Sequence, residues 1–204
     1  MQTNNTTSSA YACGFSNGLL SDIIYGLNQE TGFQHADAGR TKGRKGKLEK
    51  IKTPATEALD AAGANYEFLE APGAISGEDY SRAVGADKAA RLFKTLVMKG
   101  DTTGSIYVFL IPALAKLSQR QTARALGEHA LEMIKPIELK QLTGYVHGGT
   151  SPLGMLNKYR TIFDECAGDM KTVLINGGGG GYLVELSLDE FAKAQPYELM
   201  PLKK

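Results

Sequence analysis

The sequence contains little cysteine, almost no net charge and no long apolar run, and each of these absences excludes a class of protein. Two cysteines among 204 residues, Cys13 and Cys166, are too few for a disulfide framework and indicate a reducing compartment. A formal net charge of +1 gives no overall attraction to nucleic acid, so any basic surface has to be local. No run is long enough for a transmembrane helix, and the N-terminus lacks the features of a secretory signal. We therefore expect a cytoplasmic protein without a membrane partner.

The residues that are present are typical of one folded domain with an appendage. The chain is 42% hydrophobic and 22% charged, which is the balance of a globular protein. Its first residues are polar and low in complexity, and the apolar residues that follow show no sustained periodicity. We predict an N-terminal extension of unknown role at residues 1–46 and a folded domain at residues 47–204.

A short basic stretch joins these two parts. Residues 40–52 carry seven basic side chains and one acidic side chain, Glu49. One interpretation is a solvated linker. The other is an arm that binds a phosphate backbone, because clustered Lys and Arg gain affinity by releasing counterions.

Helix caps and apolar runs predict helices scattered among hairpins. Helices are predicted from Thr53-Pro54 to Gly63, from Ser76 to Gly85, from Ser118 to Gly127, from Pro136 onward, and after a capping box at Ser187 and Glu190. Strands are predicted at NYEFLE, RLFKTLVM, SIYVFLI, HALEMI, RTIFDE, KTVLIN and YLVEL. This order indicates an α+β fold with a mixed, largely antiparallel sheet and flanking helices, and not a doubly wound parallel sheet.

Common catalytic motifs are absent or incomplete. The glycine run at residues 177–181 has Tyr182 where a dinucleotide fingerprint needs glycine, and no Gly-Lys-Ser/Thr follows. The segment GTSPL at residues 149–153 has Leu153 where a nucleophile elbow needs glycine. His35, His129 and His147 show no metal-ligand spacing. We expect neither a serine hydrolase nor a metal site.

Two features stay open on pattern alone. Lys94 lies within the apolar strand RLFKTLVM, where it either points outward to solvent or meets an anion. The loop GYVHGGTSPLG at residues 144–154 is either an ordinary turn or a loop whose glycines bring backbone N–H groups close to a ligand. Within it, His147 is either a surface residue or a general base.

Taken together, three segments resemble the YbaK/EbsC family. They are KTLV at residues 94–97, TGYVHGGTSPLG at residues 143–154 and INGGGGGYLVEL at residues 175–186. The family comprises free-standing aminoacyl-tRNA deacylases related to the editing domain of bacterial prolyl-tRNA synthetases. The resemblance begins at residue 53, ends near residue 195 and leaves residues 1–46 uncovered.

The resemblance implies a function and a set of site residues. It implies a cleft for the 3′ end of charged tRNA, removal of cysteine from mischarged Cys-tRNA(Pro), no cofactor and no metal. The substrate thiol would attack its own ester, and prolyl-tRNA synthetase is a second candidate partner. The implied catalytic residues are Lys94, Gly148 and Gly149, the amides of the two glycines holding the substrate carbonyl. The implied substrate-binding residues are Thr95, His147, Ser151, Asn176 and Gly177.

The sequence also departs from the family pattern. Ala71 stands where the most similar branch has tyrosine, Leu183 replaces an acidic residue, and Asn176 replaces serine, whereas Glu185 is kept. These departures leave two alternatives to the cysteine substrate. One is a deacylase for another small aminoacyl group, alanine or serine. The other is a catalytically silent module that binds tRNA or a synthetase.

Overall fold

Helices and strands alternate irregularly along residues 51–204, the part of the chain that this computed structural model describes. The predicted extension and nearly all of the basic stretch lie outside the described residues. The helices are α1 (Pro54–Ala61), α2 (Gly77–Val84), α3 (Ala86–Ala89), α4 (Gln119–Leu126), α5 (Pro136–Thr143) and α6 (Leu188–Ala194). The strands are β1 (Glu67–Glu70), β2 (Phe93–Gly100), β3 (Ile106–Pro112), β4 (Leu131–Met133), β5 (Arg160–Asp164), β6 (Val173–Asn176), β7 (Tyr182–Leu186) and β8 (Glu198–Met200).

The strands form two sheets. One has three antiparallel strands in the order β1-β7-β6, and the other has five strands in the order β4-β2-β3-β5-β8. In the larger sheet β2 pairs antiparallel with β3 and β4, whereas β5 runs parallel to β3 and β8. The predicted α+β class with mixed, largely antiparallel pairing is therefore confirmed, but the strands divide between two sheets instead of one.

The main core contains side chains from both sheets. Phe93 and Val97 of β2, Phe163 of β5 and Val184 of β7 belong to one buried cluster, together with residues of α1, α5 and α6. The next side chains along β2 point the other way, because side chains alternate along a strand. Met98 joins a second cluster with residues of α4. A third cluster packs α2 against the outer face of the smaller sheet.

The predicted helix starts are confirmed in part. Thr53 and Ser76 each form a full capping box at the start of α1 and α2. The side chain of Ser118 makes no cap hydrogen bond to α4, although the helix begins at the next residue. Ser187 accepts the N–H of Glu190, but the Glu190 carboxylate accepts from the backbone of Asn65 instead of closing the box.

Strand β2 has a partly free edge. β4 pairs only with the end of β2, from Met98 to Gly100. Among the described strands, none pairs with the earlier part of β2 on that side. This free edge, near Lys94 and Thr95, is where the fold opens a cleft. No helix in residues 51–204 has the length and apolar character needed to cross a membrane.

Candidate active site

A cleft of about 290 Å³ lies along the free edge of β2. Most of its wall is apolar, and none of its lining residues is an acid or a cysteine. The polar groups come from β2, from α2 and the turn before it, from the loop after α5 and from the end of β6. They are contributed by Ser76, Tyr80, Lys94, Thr95, His147, Gly148, Thr150 and Asn176.

Lys94 brings an unpaired ammonium to this cleft. The side chain is half-buried, and among residues 51–204 it makes no hydrogen bond or ion pair. Burial lowers the pKa of Lys94 from its usual value, Glu78 opposes that change, and the positive charge of Lys116 adds to it. A cation in this setting favours an anionic or strongly polar ligand. The structure therefore favours the interpretation in which Lys94 meets an anion over the one in which it points outward to solvent.

The loop after α5 is fixed by a small hydrogen-bond network. The buried hydroxyl of Tyr80 donates to the carbonyl oxygen of Gly148 at 3.0 Å. The side-chain amide of Asn176 donates to the same carbonyl at 3.2 Å and to the Tyr80 oxygen at 3.2 Å. The Tyr80 oxygen also accepts the N–H of Gly181 at 2.8 Å. The network joins α2, the loop and the glycine-rich hairpin between β6 and β7.

Gly148 is the member of the glycine pair that faces the cleft. Its φ of +81° is a conformation that favours glycine, and a Cβ there would lie 2.9 Å from the Ile75 side chain. With its carbonyl held by the network, its N–H has no acceptor among residues 51–204. That N–H is a donor available to a substrate oxygen.

Gly149 has a different role from the predicted one. Its N–H donates to the carbonyl of Val146 at 3.1 Å, so it is already used inside the turn. A Cβ at Gly149 would lie 3.1 Å from backbone atoms of Gly179 and Gly180. The residue is glycine because two backbones pass closely at this point, and of the pair only Gly148 lines the cleft.

Two of the predicted substrate contacts are turned away from the cleft, and a third, Asn176, is held by internal hydrogen bonds. Ser151 is fully buried, and its hydroxyl accepts the N–H of Leu153 at 3.3 Å. Gly177 lies outside the cleft lining. Its N–H donates to the carbonyl oxygen of Tyr182, and its own carbonyl oxygen accepts the hydroxyl of Thr53. The Asn176 side chain reaches the cleft wall but is committed to the network and to the N–H groups of the glycine hairpin. We therefore infer that Asn176 positions the loop, and its predicted contact with substrate stays a prediction.

The remaining predicted residues, Thr95 and His147, both line the cleft. The Thr95 hydroxyl is buried and has no hydrogen-bond partner among the described residues, which is costly unless a ligand supplies one. His147 is exposed at the mouth of the cleft. Tyr80 was missed by the sequence analysis because an aromatic residue in a short amphipathic helix looks like ordinary core.

The positions that depart from the family pattern lie in different places. Ala71 is buried in the cluster beneath α2, and Leu183 belongs to the same cluster and reaches the cleft wall. Glu185 lies outside the cleft lining, where Lys88 and Arg91 neutralise it and Thr172 donates to it. Within residues 51–204, no group of three or more His, Cys, Asp and Glu side chains could hold a metal ion.

The two-sheet fold and its apolar cleft lie almost entirely within a region that matches a known family. The family model described as the aminoacyl-tRNA editing domain matches residues 72–194 of the 204. The chain therefore belongs to the aminoacyl-tRNA editing domain family. The range includes Lys94, the glycine loop and the hairpin after β6. The predicted family, and with it the class of enzyme, is confirmed.

Individual relatives agree with this assignment. The chain is 34% identical over 122 residues, 60% of its length and 73% of the relative, to the Enterococcus faecalis protein named "Putative Cys-tRNA(Pro)/Cys-tRNA(Cys) deacylase EbsC". It is similar to a crystal structure described as "a putative trans-editing enzyme for prolyl tRNA synthetase", at 25% identity and TM-score 0.66, covering 76% of this chain and 99% of the other. The fold is shared with the crystal structure of a hypothetical protein at 21% identity and TM-score 0.66. That match covers 74% of this chain and 99% of the other.

Proposed function

We propose that this protein removes cysteine from mischarged Cys-tRNA(Pro), and that the substrate's own thiol is the nucleophile. The observation that carries the proposal is an unpaired ammonium, that of Lys94, in an apolar cleft whose described lining contains no acid and no cysteine. Such a cleft can bind and orient a charged 3′ end. It offers neither a carboxylate base nor an activated enzyme nucleophile.

The residues that line the cleft can support a reaction between two groups of the substrate itself. The substrate sulfur attacks the ester carbonyl, forming a carbon–sulfur bond, and the carbon–oxygen bond to the ribose breaks. The thiol proton passes to the departing ribose oxygen, which leaves free tRNA and a cysteine thiolactone that water then opens. Orientation of two groups already joined in one molecule can be worth on the order of 7–11 kcal/mol.

In this scheme Gly148 and Lys94 have separate tasks. The Gly148 N–H stabilises the negative charge that develops on the carbonyl oxygen, a donation worth on the order of a hundredfold in rate. Lys94 holds a phosphate or hydroxyl of the terminal nucleotide, so that the ester carbonyl comes within reach of that N–H. Thr95 offers its unpaired hydroxyl to the same ligand.

The lining of the cleft supports a small apolar aminoacyl group. Leu183, which replaces an acidic residue of the family pattern, contributes to an apolar wall together with Leu92, Phe93 and Val97. A thiol is less costly to bury in such surroundings than a hydroxyl or a charged group. Substrates of this kind belong to the cytoplasm, and prolyl-tRNA synthetase is the partner that would generate them.

The test is deacylation of a panel of charged tRNAs by the purified protein. The panel contains Cys-, Ser- and Ala-tRNA(Pro) together with Cys-tRNA(Cys). We expect cysteine to be released fastest, because a thiol with a pKa near 8.5 is partly ionised at neutral pH and is a far better nucleophile than an alcohol. Comparable rates on Cys- and Ser-tRNA(Pro) would contradict the thiol mechanism and favour an attacking water. Fastest release of alanine would identify the first alternative substrate, and no release from any tRNA would indicate a silent binding module.

A further inference from the structure

A second concavity adjoins the cleft on the opposite side of Lys94. It lies beside the end of β3, the start of α4 and the C-terminal residues. Leu96 and Lys94 line both concavities, so the two are neighbours at this part of β2. We call it the basic groove, and its polar lining consists of Lys94, Lys116, Ser118, Gln119, Arg120 and Lys204.

The charged side chains of the basic groove all carry positive charge. None of its lining side chains is acidic. Lys116 and Arg120 are exposed, and neither forms an ion pair with any residue of the 51–204 region. Lys116 is close enough to Lys94 to disfavour its charge. Cationic side chains held near one another without an acidic side chain between them favour a ligand with several negative charges along its length.

The fold supports this polarity at the start of α4. The first turn of the helix contains no acidic residue, and the Ser118 side chain does not cap it. The positive end of the helix therefore adds to the field of Lys116 and Arg120. The cleft on the other side of Lys94 is mostly apolar, so the two concavities suit different parts of one ligand.

We infer that the basic groove binds the phosphodiester backbone of the tRNA 3′ strand, with Lys116 and Arg120 as the contacting side chains. This rests on the proposed function, which places the terminal adenosine and its aminoacyl group in the cleft. A single strand that leaves the cleft at Lys94 enters the groove directly. Its phosphates meet Lys116 and Arg120, which fix the position of the strand without reading its bases.

The experiment measures binding to a fluorescent RNA hairpin that carries the tRNA(Pro) acceptor stem and an uncharged 3′-CCA end. Anisotropy titrations with the full chain are repeated over a series of KCl concentrations. The double variant Lys116→Gln, Arg120→Gln is compared with wild type. The control is Lys158→Gln, Lys171→Gln, which removes two exposed lysines that line neither the cleft nor the groove.

We expect the groove variant to raise Kd on the order of tenfold at about 50 mM KCl and to reduce the slope of log Kd against log salt by about two, because each lost phosphate contact lowers it by about one. Each single variant should lower the slope by about one, and the control should keep the wild-type slope. An unchanged slope in the groove variant, an equal loss in the control, or no salt-dependent binding by wild type would overturn the inference. Failure of the proposed function is seen separately, as no amino-acid release by wild type.

Discussion

The hydroxyl of Tyr80 on α2 donates a hydrogen bond of 3.0 Å to the carbonyl oxygen of Gly148, 68 residues further along the chain. Asn176 donates to the same oxygen at 3.2 Å, so two elements fix the orientation of one peptide group. The fixed peptide group joins Gly148 to Gly149, so it anchors the loop directly after the Gly148 N–H, which has no acceptor among residues 51–204. The position of Gly148, which is partly exposed, therefore depends on the buried side chains of Tyr80 and Asn176.

Replacing Tyr80 with phenylalanine removes one of the hydrogen bonds donated to the Gly148 carbonyl and the only described acceptor for the Gly181 N–H. We expect a loss of about 1–3 kcal/mol in the free energy of unfolding, because a buried donor is left unsatisfied. We also expect kcat to fall about tenfold with a smaller change in KM, since the Gly148 N–H moves relative to the transition state.

The matched control for this variant is Tyr159→Phe. The Tyr159 hydroxyl donates to the Leu142 carbonyl at 2.8 Å and lies outside the cleft. It should lose stability and keep wild-type turnover. If Tyr80→Phe and Tyr159→Phe keep equal turnover, Tyr80 does not position the loop.

Gly148→Ala tests the conformation of the loop. Alanine at a φ of +81° costs about 1–2 kcal/mol, and its Cβ would also press on Ile75. We expect deacylation to fall by at least tenfold. The control is Gly63→Ala, which has a φ of +64° and open space around its Cβ, so it should lose similar stability without losing turnover. An active Gly148→Ala protein would show that the loop geometry is not required.

The lowered pKa of Asp164 predicts how the free energy of unfolding depends on pH. Burial alone would raise the pKa of this fully buried carboxylate, but hydrogen bonds from Cys166, Lys203 and Leu202 outweigh burial, and the pKa lies below its usual value. Because the folded pKa is lower than the unfolded one, the stabilisation is present above about pH 4 and is lost as pH falls through the folded pKa.

The variant Asp164→Asn should therefore be destabilised by about 1–3 kcal/mol at neutral pH. Urea unfolding at a series of pH values should show the difference from wild type shrinking below about pH 4. A difference that is constant from pH 7 to pH 3 would contradict this assignment of charge.

The sequence predicted local structure well because caps and apolar runs act over a few residues. Thr53 and Ser76 mark helix starts by bonds to the next turn, and both starts are confirmed. The division into two sheets was not predicted, because strand pairing joins distant segments. The short β8 was missed for the same reason, since its pairing with β5 rather than its composition makes it a strand.

The site was predicted less completely than the fold. Lys94 and the glycine loop stayed open on pattern alone, and only the family resemblance placed them in a site. Burial is a tertiary property, so nothing in the sequence showed that Ser151 points inward while Gly148 faces the cleft. Tyr80 carried no signal, because its role appears only when α2 and the loop are brought together.

The partly buried ammonium of Lys94 is expected to lower the thermal stability of the protein. Burial lowers its pKa, so the folded state disfavours the charged form. The penalty is present below the folded pKa and disappears as pH rises above the unfolded value. At pH 7 Lys94→Met should therefore keep or raise Tm. Lys99→Met, which removes an exposed lysine from the same strand, should leave Tm nearly unchanged. A marked fall in Tm for Lys94→Met alone would show that the ammonium has a stabilising partner.

The most direct test of the account is single-turnover release of cysteine from Cys-tRNA(Pro) by the folded Lys94→Met variant. The account predicts a rate lower than wild type by at least about a hundredfold, because no other lysine or arginine lines the described cleft to hold the anionic end of the substrate. Lys99→Met should release cysteine at the wild-type rate. Near wild-type release by Lys94→Met, with an unchanged thermal melt, would contradict the placement of the active site at the free edge of β2.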